Sequence, residues 1–417
     1  MPTTQKNSLR LSVLAAAMSP LLGLGLSQTA IAADSIADAL KEGDTVVSLR
    51  LRYENVDADD KDDSTQDGSD AITLKTRLTY TSGDFKGFGM TLELDDVTSL
   101  KSVNYPDGVN SGENGPAIVD PEGTGVNQVY LSYKVADTTV RYGRQRILLD
   151  NQRFVGGVGW RQNEQTYDAV SVSNSSVKNL TVFAAHIYNL DGIKNTNADH
   201  DTNLLNVGYK TPVGKVSAYY YDVEDETKNT TLDSGTASKT LGVRFAGNTK
   251  AGDVKFHYTA EFAKQSEGHN SKSYDAKYNH LMGGISVAGV TAKIGRESLG
   301  ADEDAGVGFN TPLATKHKFQ GWTDKALTTP ASGIDDVYIS VGTKISGVKL
   351  LGVYHQFDAN EGVNDGDKYG SEIGFVVATK LDNGIGLHLK YADFRKGDNT
   401  VGINDTTKLW LTSTYKF

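Results

Sequence analysis

Cationic side chains stand two residues apart in the first quarter of the chain, as Arg50 with Arg52 and as Lys75 with Arg77. Residues two apart share one face of an extended strand, so each pair would place two positive charges along a sheet. A guanidinium binds carboxylates through two parallel hydrogen bonds and does not lose its charge. A ladder of such groups would pass anionic solutes by exchange between successive weak sites. The alternative is that these are ordinary solvated residues of a soluble sheet.

The segments that carry these cations are predicted to be β-strands, because apolar and polar residues alternate in them with a period of two. About eighteen comparable segments recur along the chain, with little sign of helix. An even number of amphipathic strands is typical of bacterial membrane barrels. In the first segment, 46–56, one face carries Val47, Leu49, Leu51 and Tyr53, and the other carries Ser48, Arg50, Arg52 and Glu54.

Connection lengths alternate between short, turn-rich segments and longer polar ones. The short connections are predicted at 82–87, 135–137, 174–179, 211–214, 247–253, 287–289, 345–347 and 381–386. The long ones include 57–70, 146–164, 189–202 and 298–334. A membrane barrel has short periplasmic turns and longer extracellular loops, whereas a soluble sandwich has no reason to sort its connections in this way. We therefore predict an all-β fold, a single transmembrane antiparallel β-barrel.

Both ends of the chain indicate export to the bacterial outer membrane. Two cations, an apolar stretch and a small-x-small pattern predict a cleaved secretory signal peptide over 1–32. Residues 33–44 would form a short periplasmic segment with a helix candidate, and 45–417 the barrel. The last strand alternates and ends on Phe417, which resembles the closing strand and assembly signal of outer-membrane barrels. The expected partners are outer-membrane lipid, lipopolysaccharide and the barrel assembly machinery.

In a closed barrel the polar face of each strand lines the lumen, because every backbone polar group must pair within the protein. A barrel of this size is wide enough for water and a solute. We interpret the lining as a mixed lumen with a strong basic sector for small anionic solutes. Its predicted cations are Arg50, Arg52, Lys75, Arg77, Arg141, Arg244, Lys255, Lys293 and Lys390, and its anions include Glu54, Glu93, Glu261 and Glu372.

Composition argues against several other classes of protein. Cysteine is absent, so no disulfide framework or thiolate site exists. The formal net charge is -10, and -10 minus the 2 positive charges of 1–32 gives -12, so nucleic acid is not an expected partner. The Asp-rich loop 57–70 is expected to be solvated; Ca²⁺ binding near lipopolysaccharide is the alternative, but the spacing does not match an EF-hand. We expect no cofactor and no metal.

A secreted all-β enzyme that degrades polysaccharide is the competing class. The eight histidines are scattered, and the chain contains no HExxH, GxSxG or P-loop motif. Carboxylates are plentiful, which leaves a glycosidase pair open. We expect no catalytic residue, and instead a channel through which solutes diffuse down their gradient.

Two stretches carry a family resemblance: GRQRILLDNQRFVGGVGWRQNEQTYD at 143–168 and FNTPLATKHKFQGWTDKALTTPASGIDDVY at 309–338. They resemble signature segments of the alginate-export family of outer-membrane β-barrel proteins. The resemblance implies an eighteen-stranded barrel with an electropositive constriction that passes polyuronate or other anionic solutes. The matching positions that it implies for the constriction are Arg144, Arg146, Arg153, Arg161 and Asp168.

The chain departs from the exporters of that family in being shorter, with modest external loops and no evident periplasmic gate loop. These departures favour passive exchange of small acidic sugars and similar anions. Export of alginate or another anionic polysaccharide is the alternative. The sequence leaves open the solute, the direction of transport, the oligomeric state and the loop that forms the constriction.

Overall fold

The computed structural model describes residues 33–59, 68–100, 105–109, 115–226, 237–269, 272–361, 368–397 and 404–417. The predicted signal peptide and most of the Asp-rich loop lie outside these residues. No helix in the described ranges is long and apolar enough to cross a membrane. The one α-helix described, α1 (Ile36–Lys41), begins after Ser35, whose hydroxyl accepts a hydrogen bond from the Asp38 backbone N–H at 3.2 Å.

Twenty strands follow α1 in the described ranges. In chain order they are β1 (Asp44–Ala58), β2 (Gly68–Thr81), β3 (Phe88–Ser99), β4 (Gly123–Val135), β5 (Thr138–Gln145), β6 (Thr166–Asn174), β7 (Leu180–Asp191), β8 (Asn197–Thr211), β9 (Gly214–Val223), β10 (Ser238–Ala251), β11 (Val254–Glu267), β12 (Asp275–Val287), β13 (Val290–Leu299), β14 (Ala301–Asp302), β15 (Val307–Gly308), β16 (Ile334–Ile345), β17 (Val348–Asp358), β18 (Lys368–Lys380), β19 (Gly386–Lys396) and β20 (Thr406–Lys416).

Eighteen of these strands form one antiparallel sheet that closes into a barrel, while β14 and β15 make a small separate hairpin. Each barrel strand pairs with its neighbours in the chain, and β20 pairs with β1. At this seam Val47 and Phe417 exchange backbone hydrogen bonds of 2.9 and 3.0 Å. Closure leaves no free sheet edge, so the predicted eighteen-stranded barrel is confirmed.

The alternation of side chains sets the two faces of the barrel. On β1, Leu51 points outward and is 40% exposed, whereas the inward Arg52 and Glu54 are buried. The outward face is apolar on the other strands too, for example at Leu241 and Ile294. Paired residues on neighbouring strands point to the same face, and the register shifts locally in four of the strand pairs. A dry-cored soluble sheet would show the reverse arrangement, so the apolar surface meets lipid.

The connections sort by end as predicted. The short connections are 82–87, 136–137, 175–179, 212–213, 252–253, 288–289, 346–347 and 381–385, and we call their side the short-turn end. The opposite, long-loop end carries the remaining connections, among them 146–165 and 300–333. The predicted loop 189–202 is shorter than expected, because β7 and β8 continue through polar residues and leave only 192–196 between the two strands.

Candidate functional site

The first inserted segment, residues 146–165, leaves β5 and crosses the inside of the barrel before β6 begins. The Asp150 carboxylate accepts hydrogen bonds from Asn206 on β8 at 2.7 Å and from Ser217 on β9 at 2.6 Å. Farther along, Arg161 forms an ion pair of 2.9 Å with Glu54 on β1. Strands β9 and β1 lie nearly opposite each other in an eighteen-stranded ring. This segment therefore narrows the lumen.

The second inserted segment, residues 309–324, belongs to the connection between β13 and β16. The turn of this segment contacts the Glu372 carboxylate of β18, which accepts a hydrogen bond from the Trp322 backbone N–H. The same carboxylate accepts two hydrogen bonds from Thr323, one of 2.9 Å from its backbone N–H and one of 2.6 Å from its Oγ1 hydroxyl. Gly321 has a φ of +80°, and a Cβ there would lie 2.5 Å from Glu372 Oε2. Only glycine fits this close approach without displacing the carboxylate.

The two inserted segments are joined to each other and to the same point of the wall. The Gly156 backbone N–H donates a hydrogen bond of 2.9 Å to the carbonyl of Leu313. Glu297 on β13 forms an ion pair of 2.8 Å with Arg153 of the first segment. It also accepts a hydrogen bond from Gln320 of the second segment. Because Arg153 and Glu297 are both almost fully buried, this contact is central to the position of both segments.

The predicted cations of β1 and β2 face the lumen, but most of them are paired with acids. Arg77 donates to both oxygens of Asp95 on β3, at 2.6 Å each, and Lys75 lies 2.9 Å from the same carboxylate. Glu164 of the first inserted segment pairs with Arg77 at 3.0 Å and with Arg146. The expectation of a free basic ladder is therefore wrong for these residues, because β3 and the inserted segment supply its counter-charges.

Glu164 stays ionised inside this cluster. Burial alone would raise the pKa of its carboxyl group, but the nearby charges of Arg77, Lys75 and Arg146 lower that pKa to about 2. The carboxylate thus carries its negative charge at all physiological pH values and compensates the positive charge of the β2 wall.

A second ion cluster surrounds Arg52 and Arg161. Arg161 approaches Asp324 of the second inserted segment at 3.3 Å, in addition to Glu54. Arg52 lies 3.7 Å from Asp120, a residue of the connection between β3 and β4. The counter-charges again come from distant parts of the chain. They hold the inserted segments in place and leave little net charge at this level of the lumen.

All three tryptophans of the chain converge on Lys390 of β19. The Lys390 ammonium lies 4.2 Å from the ring centroid of Trp160, 4.1 Å from that of Trp322 and 5.5 Å from that of Trp410. It is also 2.7 Å from Nε2 of His317. Trp160 and Trp322 belong to the two inserted segments, so this tryptophan cage fastens both to the wall. A desolvated cation–π contact contributes about 2 kcal/mol.

Three more of the predicted lining residues also face inward, on β5, β10 and β13. Arg141 stacks over the ring of Tyr130 at 5.1 Å, and Arg244 forms an ion pair of 3.1 Å with Glu261. Lys293 lines a cavity near the short-turn end. No carboxylate among the described residues lies within ion-pair distance of Arg141 or Lys293. These two cations, unlike those on β2, keep their charge uncompensated.

Arg144 and Asp168 lie on the outer face of the barrel, which corrects their assignment to the constriction. Arg144 is opposite the outward Val129 on β4, and its side chain pairs with Asp168 at 2.7 Å and with Asp191 at 2.8 Å. Arg141 faces inward, and a residue three positions along a regular strand points to the other face. The alternation of side chains along β5 thus predicts correctly that Arg144 faces outward, whereas the family resemblance placed it wrongly in the constriction.

Two water-accessible cavities open toward the short-turn end, and together we call them the vestibule. The larger, about 910 Å³, is lined by Lys293, Lys318, Lys344 and Lys349 among others, and its acids Glu297 and Asp336 contact Arg153 and His355. The smaller, about 350 Å³, is lined by Arg50, Lys75, Arg77, Lys380 and Lys416, with Glu164 as its acid. Lys344 and Lys349 are cross-strand neighbours on β16 and β17. Within the described residues, no carboxylate forms an ion pair with any of these vestibule lysines except Lys75.

Sequence reasoning missed the residues that fix the inserted segments, Glu297, Gln320 and the tryptophan cage. The alternation of β13 and β20 does place Glu297 and Trp410 on the inward face. Nothing in the sequence indicates which loop residues they meet. Among the described residues, no group of three or more His, Asp or Glu side chains is arranged to hold a metal ion.

Known proteins share both the sequence pattern and the fold. The family model described as alginate export matches residues 44–319. OccK9 (OpdG) of Pseudomonas aeruginosa is 14% identical, with a TM-score of 0.73 over 91% of this chain and 99% of that one. OpdK with vanillate, from the same organism, has 13% identity, a TM-score of 0.71 and the same coverage. OccAB4 of Acinetobacter baumannii has 13% identity and a TM-score of 0.70 over 90% of this chain and 98% of that one.

Comparison with curated proteins gives no match. The structural matches show the fold, which is that of integral outer-membrane β-barrels, so the short-turn end corresponds to the periplasmic side. The sequence match covers more than half of the chain, and it confirms the predicted resemblance. The chain belongs to the alginate export family.

Proposed function

We propose that this protein is an outer-membrane channel for passive diffusion of small hydrophilic anions, of the uronate or acidic-oligosaccharide type. The observation that carries the proposal is the vestibule, whose lysines other than Lys75 form no ion pair with a carboxylate among the described residues. Uncompensated charge in a narrow, low-dielectric passage concentrates counter-ions and excludes co-ions. The basic groups that select the solute are therefore those of the vestibule, rather than a ladder along β1 and β2.

The buried ion clusters have a different role in this proposal. Arg77 pairs with Glu164 and Arg52 donates to the Trp160 carbonyl, so that both hold the first inserted segment against the wall, as does Arg161 of that segment through Glu54. Their paired charges attract a passing anion only weakly. A solute that crosses the narrow level meets polar groups, and no covalent step is needed. The outward apolar surface fits lipid rather than water, which removes the premise of a soluble secreted enzyme.

Export of an anionic polysaccharide is the second candidate, and the family match favours it. A polymer needs a continuous bore for its whole length. The two inserted segments cross the lumen and are held by buried ion pairs, so a polymer would have to displace them. Small solutes need less displacement, and one matched structure is of OpdK with vanillate, a small carboxylate. Passive exchange of small anions thus agrees better with the geometry.

Replacing Lys293 and Lys349 together by glutamine is expected to reduce anion selectivity strongly. Both side chains line the larger cavity, and the double change removes two of its uncompensated charges. The measurement is the reversal potential of single channels in planar bilayers under a salt gradient. The matched control is Lys86→Gln with Lys178→Gln, because these lysines are exposed in short turns and do not line the cavities described.

Wild-type channels that prefer cations would contradict the proposal, and so would an equal shift in the control. Liposome swelling with uronates, vanillate, neutral sugars and uronate oligomers of increasing length distinguishes the two candidates. A channel for small anions should admit uronate monomers quickly, and the swelling rate should fall steeply as the oligomers become longer. Equal rates for long oligomers would favour the exporter.

A further inference from the structure

We infer that the outer face of β10–β13 binds the phosphorylated headgroup of an anionic lipid, in the leaflet that surrounds the long-loop end. Each of these four adjacent strands carries one outward, exposed cation near that end: Lys239, Lys264, Lys277 and Arg296. We call these four side chains the outer basic patch. They are separate from the vestibule, since they lie on the other face of the sheet.

The centre of the patch is electrostatically unfavourable unless an anion occupies it. Lys264 on β11 and Lys277 on β12 stand directly opposite each other in the register. Like charges in directly opposed positions destabilise a sheet. Among the described residues, no carboxylate lies within ion-pair distance of either ammonium group. Two facing lysines with no counter-ion in the protein point to a counter-ion from outside it.

Acids lie around the patch, and two of them stand beside its outer members rather than beside the central pair of Lys264 and Lys277. Asp335 on β16 pairs with Arg296 at 2.7 Å, and Asp222 stands opposite Lys239 in the register. Asp275 lies on the same face as Lys277, two residues earlier. The far side of the barrel has the opposite charge at this end, where β1, β2 and β3 present outward acids. Those acids are Asp57, Asp70 and Asp96. On the patch side, by contrast, Lys264 and Lys277 face each other without an ion-pair partner among the described residues.

The residues below the patch show why the occupant is a lipid rather than a free anion. Leu241, Phe262 and Leu281 point outward on β10, β11 and β12, and each is at least 50% exposed. Leu241 is the direct cross-strand neighbour of Lys264. One molecule with a phosphate head and acyl chains would neutralise the lysines and cover the apolar surface beneath them. Inorganic phosphate would do only the first.

The test uses the purified full-length barrel in phosphatidylcholine nanodiscs, with and without diphosphoryl lipid A as the probe. Native mass spectrometry after release into mild detergent measures the bound lipid A. Lys264→Gln with Lys277→Gln is expected to weaken its binding roughly 30-fold, because each charge near an anionic surface contributes about fivefold. The control Lys293→Gln with Lys349→Gln removes the same charge from the lumen, and it should retain the lipid.

Retained lipid A on the Lys264/Lys277 variant would overturn the inference, as would equal loss on the lumen variant. A third arm adds inorganic phosphate in place of the lipid. Protection against thermal unfolding by lipid A, but not by phosphate, supports a lipid site; equal protection by phosphate would show a simple anion site instead. Reversal potentials of the Lys264/Lys277 variant should match those of wild type, which separates this site from the channel.

Discussion

Glu297→Gln is expected to produce channels that visit a high-conductance state far more often than wild type. Glu297 is the wall carboxylate that contacts both inserted segments, by its ion pair with Arg153 and the hydrogen bond from Gln320. Glutamine keeps the size but removes the charge and one of the two acceptor oxygens. Arg153 then stays buried beside a neutral partner, with only 2% of its surface exposed.

The size of this effect follows from the cost of a buried, unpaired charge. Breaking a buried ion pair from one side destabilises the paired arrangement by about 3–5 kcal/mol. This cost falls on the arrangement in which both inserted segments are held against the wall. The equilibrium between that closed arrangement and an open one, in which the segments are displaced, therefore shifts by about 100-fold or more toward the open one. The barrel wall does not depend on this contact, because its strands are held by backbone hydrogen bonds along their whole length. The variant should therefore fold and show altered gating.

Single-channel recording in planar bilayers measures the frequency and conductance of the open state. Acrylamide quenching of tryptophan fluorescence is a second readout, because all three tryptophans sit in the cage that holds the inserted segments. Arg153→Met combined with Glu297→Leu is the matched control. It removes both charges and replaces them with apolar bulk, so it should restore most of the closed state. Unchanged conductance and quenching in Glu297→Gln would contradict this account of how the lumen is narrowed.

The sequence predicts the barrel wall well because one simple physical constraint acts on every strand. One face meets lipid and the other meets water or polar loops, so a shift by one residue would expose the wrong set of side chains. The apolar residues Val47, Leu49 and Leu51 are therefore predicted to face lipid. Arg50 and Arg52, which alternate with them, must then face the lumen. The strand ends are less well determined, since beyond the apolar belt β7 and β8 continue with polar residues such as Asn189 and Asp199.

The interior could not be predicted in the same way, because its contacts join residues far apart in the chain. Arg161 meets Glu54 across 107 positions, and Arg153 meets Gln320 across 167. Alternation predicts that Lys75 faces the lumen, but it does not show that Asp95 will neutralise its charge. The net charge along the water path depends on such pairings. The sequence therefore predicts which cations face the lumen, but it does not predict which carboxylates neutralise their charges.

Gly321→Ala is expected to dislodge the second inserted segment from the wall. Its φ of +80° costs an alanine about 1–2 kcal/mol. The new Cβ would also lie 2.5 Å from Oε2 and 2.8 Å from Cδ of the buried Glu372. Overpacking of this kind adds about 1–3 kcal/mol. Because Glu372 holds the Trp322 and Thr323 backbone N–H groups, a shift of either the turn or the carboxylate that relieves the contact weakens these hydrogen bonds.

Gly289→Ala provides a close control for the backbone contribution. Gly289 has the same φ of +80°, and nothing lies within 4 Å of the Cβ that alanine would add there. Both variants therefore place an alanine at the same φ, and only Gly321→Ala creates the clash with Glu372. We expect increased acrylamide quenching of the cage tryptophans and larger unitary currents in Gly321→Ala, with wild-type values in Gly289→Ala. Equal behaviour of the two variants would mean that Glu372 does not hold the turn, and that the second segment is positioned by Glu297 and the cage alone.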